Sequence, residues 1–312
     1  MPEAGRARSG SPASDGAGRI VIAGASGLIG RALTAALEAD GIRVTRLVRH
    51  SPEGPEEVAW APGAERLDPA VLAGATAVVC LNGASIGRFP WTARYRHELV
   101  WSRILPTQTI ARALRELGAD APTFVSASAV GWYPSVRGRA MTEETRRGDT
   151  FLADLCGEWE TAARTAGERV ALLRTAPILH PDGVLKPLLL LTRFGLSGPL
   201  GRGTQVWPWI TLDDEVRAIR HVIDQRLVGP VNLVAPQRAT ANDIGFALAL
   251  RMNRPYLLRA PEWALRLILG PDATEALLTA DMHVVPQRLL DTGFEFRHPT
   301  VEDAVAATVP AG

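Results

Sequence analysis

Residues 20–30 read Ile-Val-Ile-Ala-Gly-Ala-Ser-Gly-Leu-Ile-Gly, a short apolar run that passes straight into a glycine-spaced turn. The turn opens a stretch whose apolar positions Leu28, Ile29, Leu33 and Leu37 recur at helical spacing. A strand, a turn poor in side chains and a helix start together form a cradle for a pyrophosphate. Gly24 permits the tight turn, Gly27 lets a ligand approach the backbone, and Gly30 lets the helix pack on the strand. Ala25, Ser26, Leu28 and Ile29 complete the loop. The helix start offers free N–H groups and a positive dipole end to an anion. This pattern implies dinucleotide binding.

The 312 residues suit one large domain or two smaller ones. Apolar residues make up 46% and charged residues 21%, ordinary values for a globular chain. A net charge of +1 gives no global field that recruits nucleic acid or acidic membranes. Cys80 and Cys156 read as reduced core residues of a cytoplasmic protein rather than a disulfide or zinc pair. Residues 1–18 hold Gly, Ser, Ala and Pro without the apolar centre of a secretory signal, so a disordered leader is expected. Val184–Leu191 is broken by Lys186 and Pro187 and is too short to span a bilayer. The expected partner is a small-molecule substrate, with no nucleic acid and no membrane.

Beyond the first helix, Ile42–Val48 alternates as a second strand, and a short strand is expected at Val58–Trp60. Ala77–Leu81 is a continuous apolar run, as in a strand covered on both faces of a parallel sheet. A long helical region from Trp91 to Leu117 is expected in two pieces, because Pro106 disfavours a helix interior. Thr123–Ser126 is the next strand, Phe151, Leu155, Trp159 and Ala162 form a helical stripe, and Val170–Arg174 is a further buried strand. Alternation of this kind predicts an α/β fold: a Rossmann-type doubly wound parallel sheet. The expected division is a dinucleotide-binding domain at 19–176 and a smaller, mainly helical substrate lobe at 177–312. Helices are expected at 212–226, 240–250, 261–269 and 273–280.

NAD sites usually carry an acid at the end of the second strand. Here that strand ends Val48-Arg49-His50-Ser51, with no carboxylate before Glu53. Arg49, helped by Arg46 or Ser51, suits a 2′-phosphate instead, which favours NADP (NADPH). Ligands of open parallel sheets lie beyond the carboxyl ends of the strands. That rule selects Leu81–Ser85, with Asn82, Gly83 and Ala84 against the cofactor, then Ser126–Tyr133, then Thr175–Ile178, where backbone near Pro177 meets a nicotinamide amide.

Further motifs are Trp-Thr at 91–92 with Ser-Arg at 102–103, Ser-Ala-Ser-Ala-Val-Gly-Trp-Tyr at 126–133 and Phe-Leu-Ala-Asp-Leu-Cys-Gly-Glu-Trp-Glu at 151–160. Gly-Pro-Leu-Gly-Arg-Gly at 198–203, Trp-Pro-Trp-Ile at 207–210, Val-Pro-Gln-Arg-Leu-Leu at 285–290 and Gly-Phe-Glu-Phe at 293–296 follow. With these motifs the chain resembles the extended or atypical short-chain dehydrogenase/reductase superfamily. Within it, the chain resembles the NAD(P)-dependent epimerase/dehydratase-like proteins that end in a small C-terminal domain of unknown function. The resemblance spans nearly all of 19–305. It implies a serine that hydrogen-bonds the substrate carbonyl, matched by Ser128, and a Tyr-x-x-x-Lys pair on the next helix. That helix reads Phe151-Leu152-Ala153-Asp154-Leu155-Cys156 and has neither residue of the pair. Tyr133, or a carboxylate from Asp154 or Glu143, is the candidate replacement. Cys80 stands where the family commonly has Asn. The resemblance also makes a homodimer common.

The other candidates read as structural. Trp207 and Trp209 divide evenly between pocket lining and packing, and Asp213 and Asp214 follow Thr211 as a helix cap. Arg94, Arg96 and Arg103 read as a solvated face. His50, His97, His180, His221, His283 and His298 show no metal spacing, so no metal is expected. The leading expectation is an NADP-dependent oxidoreductase or epimerase-like enzyme acting on a small carbonyl or hydroxyl compound. Its rivals are an NADP-binding sensor without catalysis and a redox-silent isomerase or cyclase.

Overall fold

Apolar runs and amphipathic stretches alternate along the chain and, in the computed structural model, become alternating strands and helices over residues 18–312. The expected leader, apart from Gly18, lies outside the described residues. Strands β1 (Arg19–Ala23), β2 (Arg43–Val48), β3 (Glu57–Ala59), β4 (Ala77–Cys80) and β5 (Thr123–Ala129) occupy the first half. They are followed by β6 (Ala140–Met141), β7 (Val170–Thr175), β8 (Ile178–Leu179), β9 (Ile210–Thr211), β10 (Gly229–Leu233) and β11 (His283–Val284). The helices are α1 (Leu28–Ala39), α2 (Ala93–Leu117), α3 (Phe151–Arg164), α4 (Leu185–Arg193) and α5 (Leu212–Asp224). Then come α6 (Ala241–Arg251), α7 (Glu262–Leu269), α8 (Pro271–Thr274), α9 (Gln287–Asp291) and α10 (Val301–Thr308).

Seven strands form one sheet in the order β10-β7-β5-β4-β1-β2-β3, every pairing parallel. Side chains of a strand alternate between faces, so each face has its own core. On one face Ile20, Ile22, Val79, Val125 and Leu173 meet Leu33 and Leu37 of α1 and Ile219, Val222 and Ile223 of α5. On the other, Val21, Val78, Phe124 and Leu172 meet Ile110, Ala111 and Leu114 of α2 and Ala163 of α3. Each fully buried Leu or Ile contributes about 1.5–3 kcal/mol. The doubly wound expectation is what the chain adopts.

One detail differs from the sequence reading. α2 runs unbroken through Pro106, which is buried with Arg103, Ile104, Thr107 and Ile110 on one face. An interior proline costs about 3 kcal/mol, and the packing of that long buried face offsets it. The boundary near 176, soft in the sequence reading because such folds pass back and forth between lobes, is crossed by the chain. After β8 and β9 the chain returns through α5 to lay β10 beside β7, so the sheet is completed only at Leu233. The lobe has its own core, with Leu179, Leu185, Trp209, Ile244, Leu248, Val301 and Val305 packed together. Among the described residues no helix is long and apolar enough to cross a membrane.

Candidate functional site

The glycine turn joins β1 to α1 as the spacing demands. Gly24 has φ +88°, and a Cβ there would lie 2.8 Å from the Leu81 carbonyl carbon, so both backbone geometry and the passing β4 loop exclude a side chain. At Gly30 a Cβ would overlap the Gly24 carbonyl oxygen and lie 2.8 Å from Ala25 Cα. Gly27 caps α1 without a side-chain bond, so the first N–H groups of the helix face the turn unshielded by any cap. Ser26 and Gly27 are exposed, whereas Leu28 and Ile29 are half-buried.

At the end of β2, Arg49 is exposed and has no ion-pair partner among the described residues. Arg46 does not join it, being drawn to Glu57 at 3.6 Å and Glu56 at 3.8 Å. Beyond β4, the loop through Asn82, Gly83 and Ala84 is held from below by α2. Arg103 donates to the Leu99 carbonyl at 2.8 Å and the Ala84 carbonyl at 3.0 Å, and the Ala84 N–H donates to Ser102 Oγ at 2.9 Å. The Tyr95 hydroxyl donates to the Ser85 carbonyl at 2.6 Å. Arg103 is therefore buried under the loop, which corrects its reading as part of a solvated face. The Cys80 thiol donates to Asn82 Oδ1 at 3.6 Å, and burial raises its pKa to about 11.

Ser128 is not in the loop after its strand. It lies within β5, opposite Arg174 of β7, which in turn lies opposite Asn232 of β10. These three side chains anchor one buried network. Ser128 Oγ donates to Glu160 Oε1 at 2.9 Å. Arg174 clamps both oxygens of Glu160 at 2.8 and 3.1 Å and donates to the Tyr133 hydroxyl at 3.0 Å and the Glu143 carbonyl at 3.1 Å. The Tyr133 hydroxyl donates to Asn232 Oδ1 at 2.6 Å. The Trp132 ring stacks 4.0 Å from the guanidinium. Two buried charges are tolerable only with this degree of satisfaction, and removing one partner typically costs about 3–5 kcal/mol.

The network corrects two expectations. Tyr133 does not extend from an open loop toward a substrate. It is 2% exposed, its hydroxyl is bonded on both sides, and burial raises its pKa to about 12. Glu143 is likewise buried, accepting the N–H groups of Asn232 and Arg288 at 3.0 and 3.2 Å. Asp154 is on the surface, paired with Arg147 at 3.1 Å. A Cβ at Gly131, just past β5, would lie 3.1 Å from Leu152 Cβ and 3.7 Å from Cys156 Sγ. Leu152 and Cys156, four residues apart on α3, thus pack against the turn after β5, and the Cys156 thiol donates at 3.7 Å to the Ala129 carbonyl at the strand's end. Burial raises the Cys156 pKa to about 12, so it exchanges no proton at neutral pH. Sequence reasoning missed Glu160, although it falls at i, i+4, i+8 with Leu152 and Cys156, an acid on a buried face.

Near Pro177 the backbone is already occupied. The Ala176 N–H donates to the Leu233 carbonyl at 3.0 Å, and the Pro177 carbonyl accepts from Ile210 at 3.2 Å. The adjacent Thr175 hydroxyl donates to Glu215 Oε1 at 2.8 Å. Thr211 caps α5 as read from sequence, accepting from the Asp214 N–H at 3.1 Å. Asp214 also accepts the N–H groups of Arg297 and His298 at 2.8 and 2.9 Å, tying the C-terminal segment to α5. Trp209 is core and Trp207 is half-buried, its indole N–H on the Leu278 carbonyl at 3.1 Å.

A profile of the NAD dependent epimerase/dehydratase family matches residues 20–233. A profile of a domain of unknown function (DUF1731) matches residues 260–308. An epimerase family protein of Mycobacterium bovis is 41% identical over 291 residues, covering 92% of this chain and 96% of that protein. The crystal structure of human epimerase family protein SDR39U1 (isoform 2) with NADPH superposes with a TM-score of 0.80 at 29% identity, over 93% of this chain and 98% of that one. A nucleoside-diphosphate sugar epimerase from Corynebacterium glutamicum gives a TM-score of 0.73 at 33% identity, over 92% of this chain and 57% of that one. The first profile takes in the glycine turn and the whole row from Ser128 to Asn232, and the chain belongs to the NAD dependent epimerase/dehydratase family.

Proposed function

We propose that the protein binds NADPH along the carboxyl edge of its sheet and acts on a small carbonyl or hydroxyl compound, as a reductase or an epimerase-like enzyme. One observation carries the cofactor reading. At Gly24 and Gly30 the space a Cβ would fill belongs to neighbouring backbone, so the turn is built bare against the start of α1. A diphosphate fits that donor set: the N–H groups of Ala25, Ser26, Leu28, Ile29 and Gly30, aided by the helix dipole, while the Gly27 N–H closes the turn on the Gly24 carbonyl at 3.1 Å and Gly24 and Gly27 keep it bare. Arg49 takes the 2′-phosphate, and Asn82, Gly83 and Ala84 flank the other half, whereas the backbone at Pro177, expected to meet the nicotinamide amide, is bonded within the fold. When bound, the nicotinamide supplies or accepts a hydride.

Ser128 is the residue assigned to the reacting oxygen. Its proton rests on Glu160, so its lone pairs accept from a substrate hydroxyl, and toward a substrate carbonyl the proton turns from Glu160 to the carbonyl oxygen. Glu160 and Arg174 hold its rotamer, and Tyr133 positions Arg174. One observation favours the rival reading of a binding protein without turnover: Leu152 and Cys156 pack against the turn after β5, and neither can exchange a proton at neutral pH. The deciding experiment follows NADPH absorbance at 340 nm with a panel of aldehydes, ketones and keto sugars, beside calorimetric titration of NADPH. The expected result is turnover that Ser128→Ala abolishes while NADPH affinity changes less than about threefold. Tight binding with no turnover across the panel selects the binding protein. No heat with NADPH or NADH ends the proposal.

A further inference from the structure

Glu215 has no role in the site as described so far, yet it is 0% exposed and its Oε2 has no hydrogen-bond partner. A buried carboxylate oxygen left unpaired costs about 1–3 kcal/mol or more. Its other oxygen accepts from Thr175, half-buried at the carboxyl end of β7. The Ala176 N–H and Pro177 carbonyl beside it are both bonded within the fold. The Thr175 hydroxyl is therefore the adaptable polar group at this strand end. With the diphosphate at β1 and the 2′-phosphate at the end of β2, as proposed above, the nicotinamide half would extend the other way along the strand order, toward β4, β5 and β7.

We propose that Thr175, governed by Glu215, contacts the nicotinamide end of the cofactor and reverses its hydrogen-bond polarity with the Glu215 proton, so that the preference between oxidised and reduced NADP follows pH. The proposal rests on the reading that this cleft takes NADP. With Glu215 ionised, Thr175 donates inward and turns lone pairs to the ligand, and the buried negative charge favours the oxidised ring, which is cationic. With Glu215 protonated, the carboxyl donates to Thr175, whose O–H turns outward, and the charge preference disappears. Burial raises the Glu215 pKa to about 8, opposed only by the Thr175 bond, so both states are populated close to neutrality.

Other ionisable groups leave Glu215 alone. On α1, Arg31 is exposed and bonded to the Ser26 carbonyl at 2.5 Å, and Glu38 is exposed. On β7, Arg174 is committed to Glu160. β8 and β9 carry none. On α5, Asp213 pairs with Arg297 at 3.0 Å and Asp214 with Arg217 at 2.9 Å. His298 lies 3.6 Å from Asp214. Toward its far end, Arg220 pairs with Asp40 at 2.7 Å, Asp224 stands beside His221, and the His221 ring bonds the Thr292 hydroxyl at 2.8 Å.

The test measures dissociation constants of NADPH and oxidised NADP from pH 6.5 to 9.5 on the full chain. The 2′-phosphate titrates in both nucleotides and cancels in their ratio. In the unmodified protein the preference for the oxidised form should rise at least fivefold across that range. Glu215→Gln, nearly isosteric, should give a flat ratio, and Thr175→Ser should keep the rise. A constant ratio in the unmodified protein overturns the proposal whether or not the variant folds. So does a Glu215→Gln protein that keeps the rise, or a Thr175→Val protein that keeps it in full. If neither nucleotide binds at any pH, the cofactor reading fails first and the inference goes with it.

Discussion

At Arg49 the guanidinium stands exposed at the end of β2, while Arg46, three residues earlier, is drawn to Glu56 and Glu57. The 2′-phosphate would thus meet one free guanidinium. Arg49→Ala should weaken NADPH by about 1–3 kcal/mol, the scale of a charge-assisted bond, and leave NADH nearly unchanged. Calorimetric titration of both nucleotides checks it, and an equal loss for both removes the 2′-phosphate argument. Single residues were unevenly legible in the sequence. Arg49 stood out because strand ends face ligand in this topology, and the structure leaves it exposed at the end of β2. Arg174 was not, because its partners Ser128, Tyr133, Glu160 and Asn232 are spread over about a hundred residues and meet only across three strands. Glu215 looked like an ordinary acid in the first turn of a helix, since sequence shows the turn and not the burial.

The turn between β1 and α1 is the element whose sequence said most. Its glycines are fixed by what a Cβ would strike, a constraint local enough to be seen in seven residues. Gly30→Ala should therefore abolish NADPH binding and destabilise the fold by about 1–3 kcal/mol through overpacking. Thermal melts with and without NADPH check both halves, and retention of the ligand-induced rise in Tm counts against the cradle. β4 was legible as well, since a strand covered on both faces reads as continuous apolar residues. β5 ran three residues past its expected end because Ser126 and Ser128 interrupt the apolar run without interrupting the ladder. α2 was expected in two pieces because propensity weighs Pro106 alone, whereas the fold weighs the whole buried face.

For the whole molecule, Glu215 sets a pH slope on stability. The folded state keeps its proton up to about pH 8, whereas an unfolded glutamate releases it near 4.3. Between those values the folded state binds more protons, so this contribution is full below the lower value and is lost as pH rises through the upper one. Relative to the unmodified protein, Glu215→Gln should gain stability from pH 5 to 9, on the order of 1 kcal/mol per pH unit across the window. Melting curves at constant ionic strength check this, and a flat or opposite difference removes Glu215 as the source.

The strand pair β6–β11 and the Asp281 N–H donating to the Ser135 hydroxyl at 3.0 Å sew the last thirty or so residues onto the segment after β5, and Asn232 Nδ2 donating to the Val285 carbonyl at 2.9 Å ties them to β10. A gene divided at residue 176 would yield a fragment stripped of its outermost strand, with Arg174 bordering solvent and Glu143 bereft of both amides. Anyone seeking a minimal nucleotide-binding piece of this protein should keep the tail.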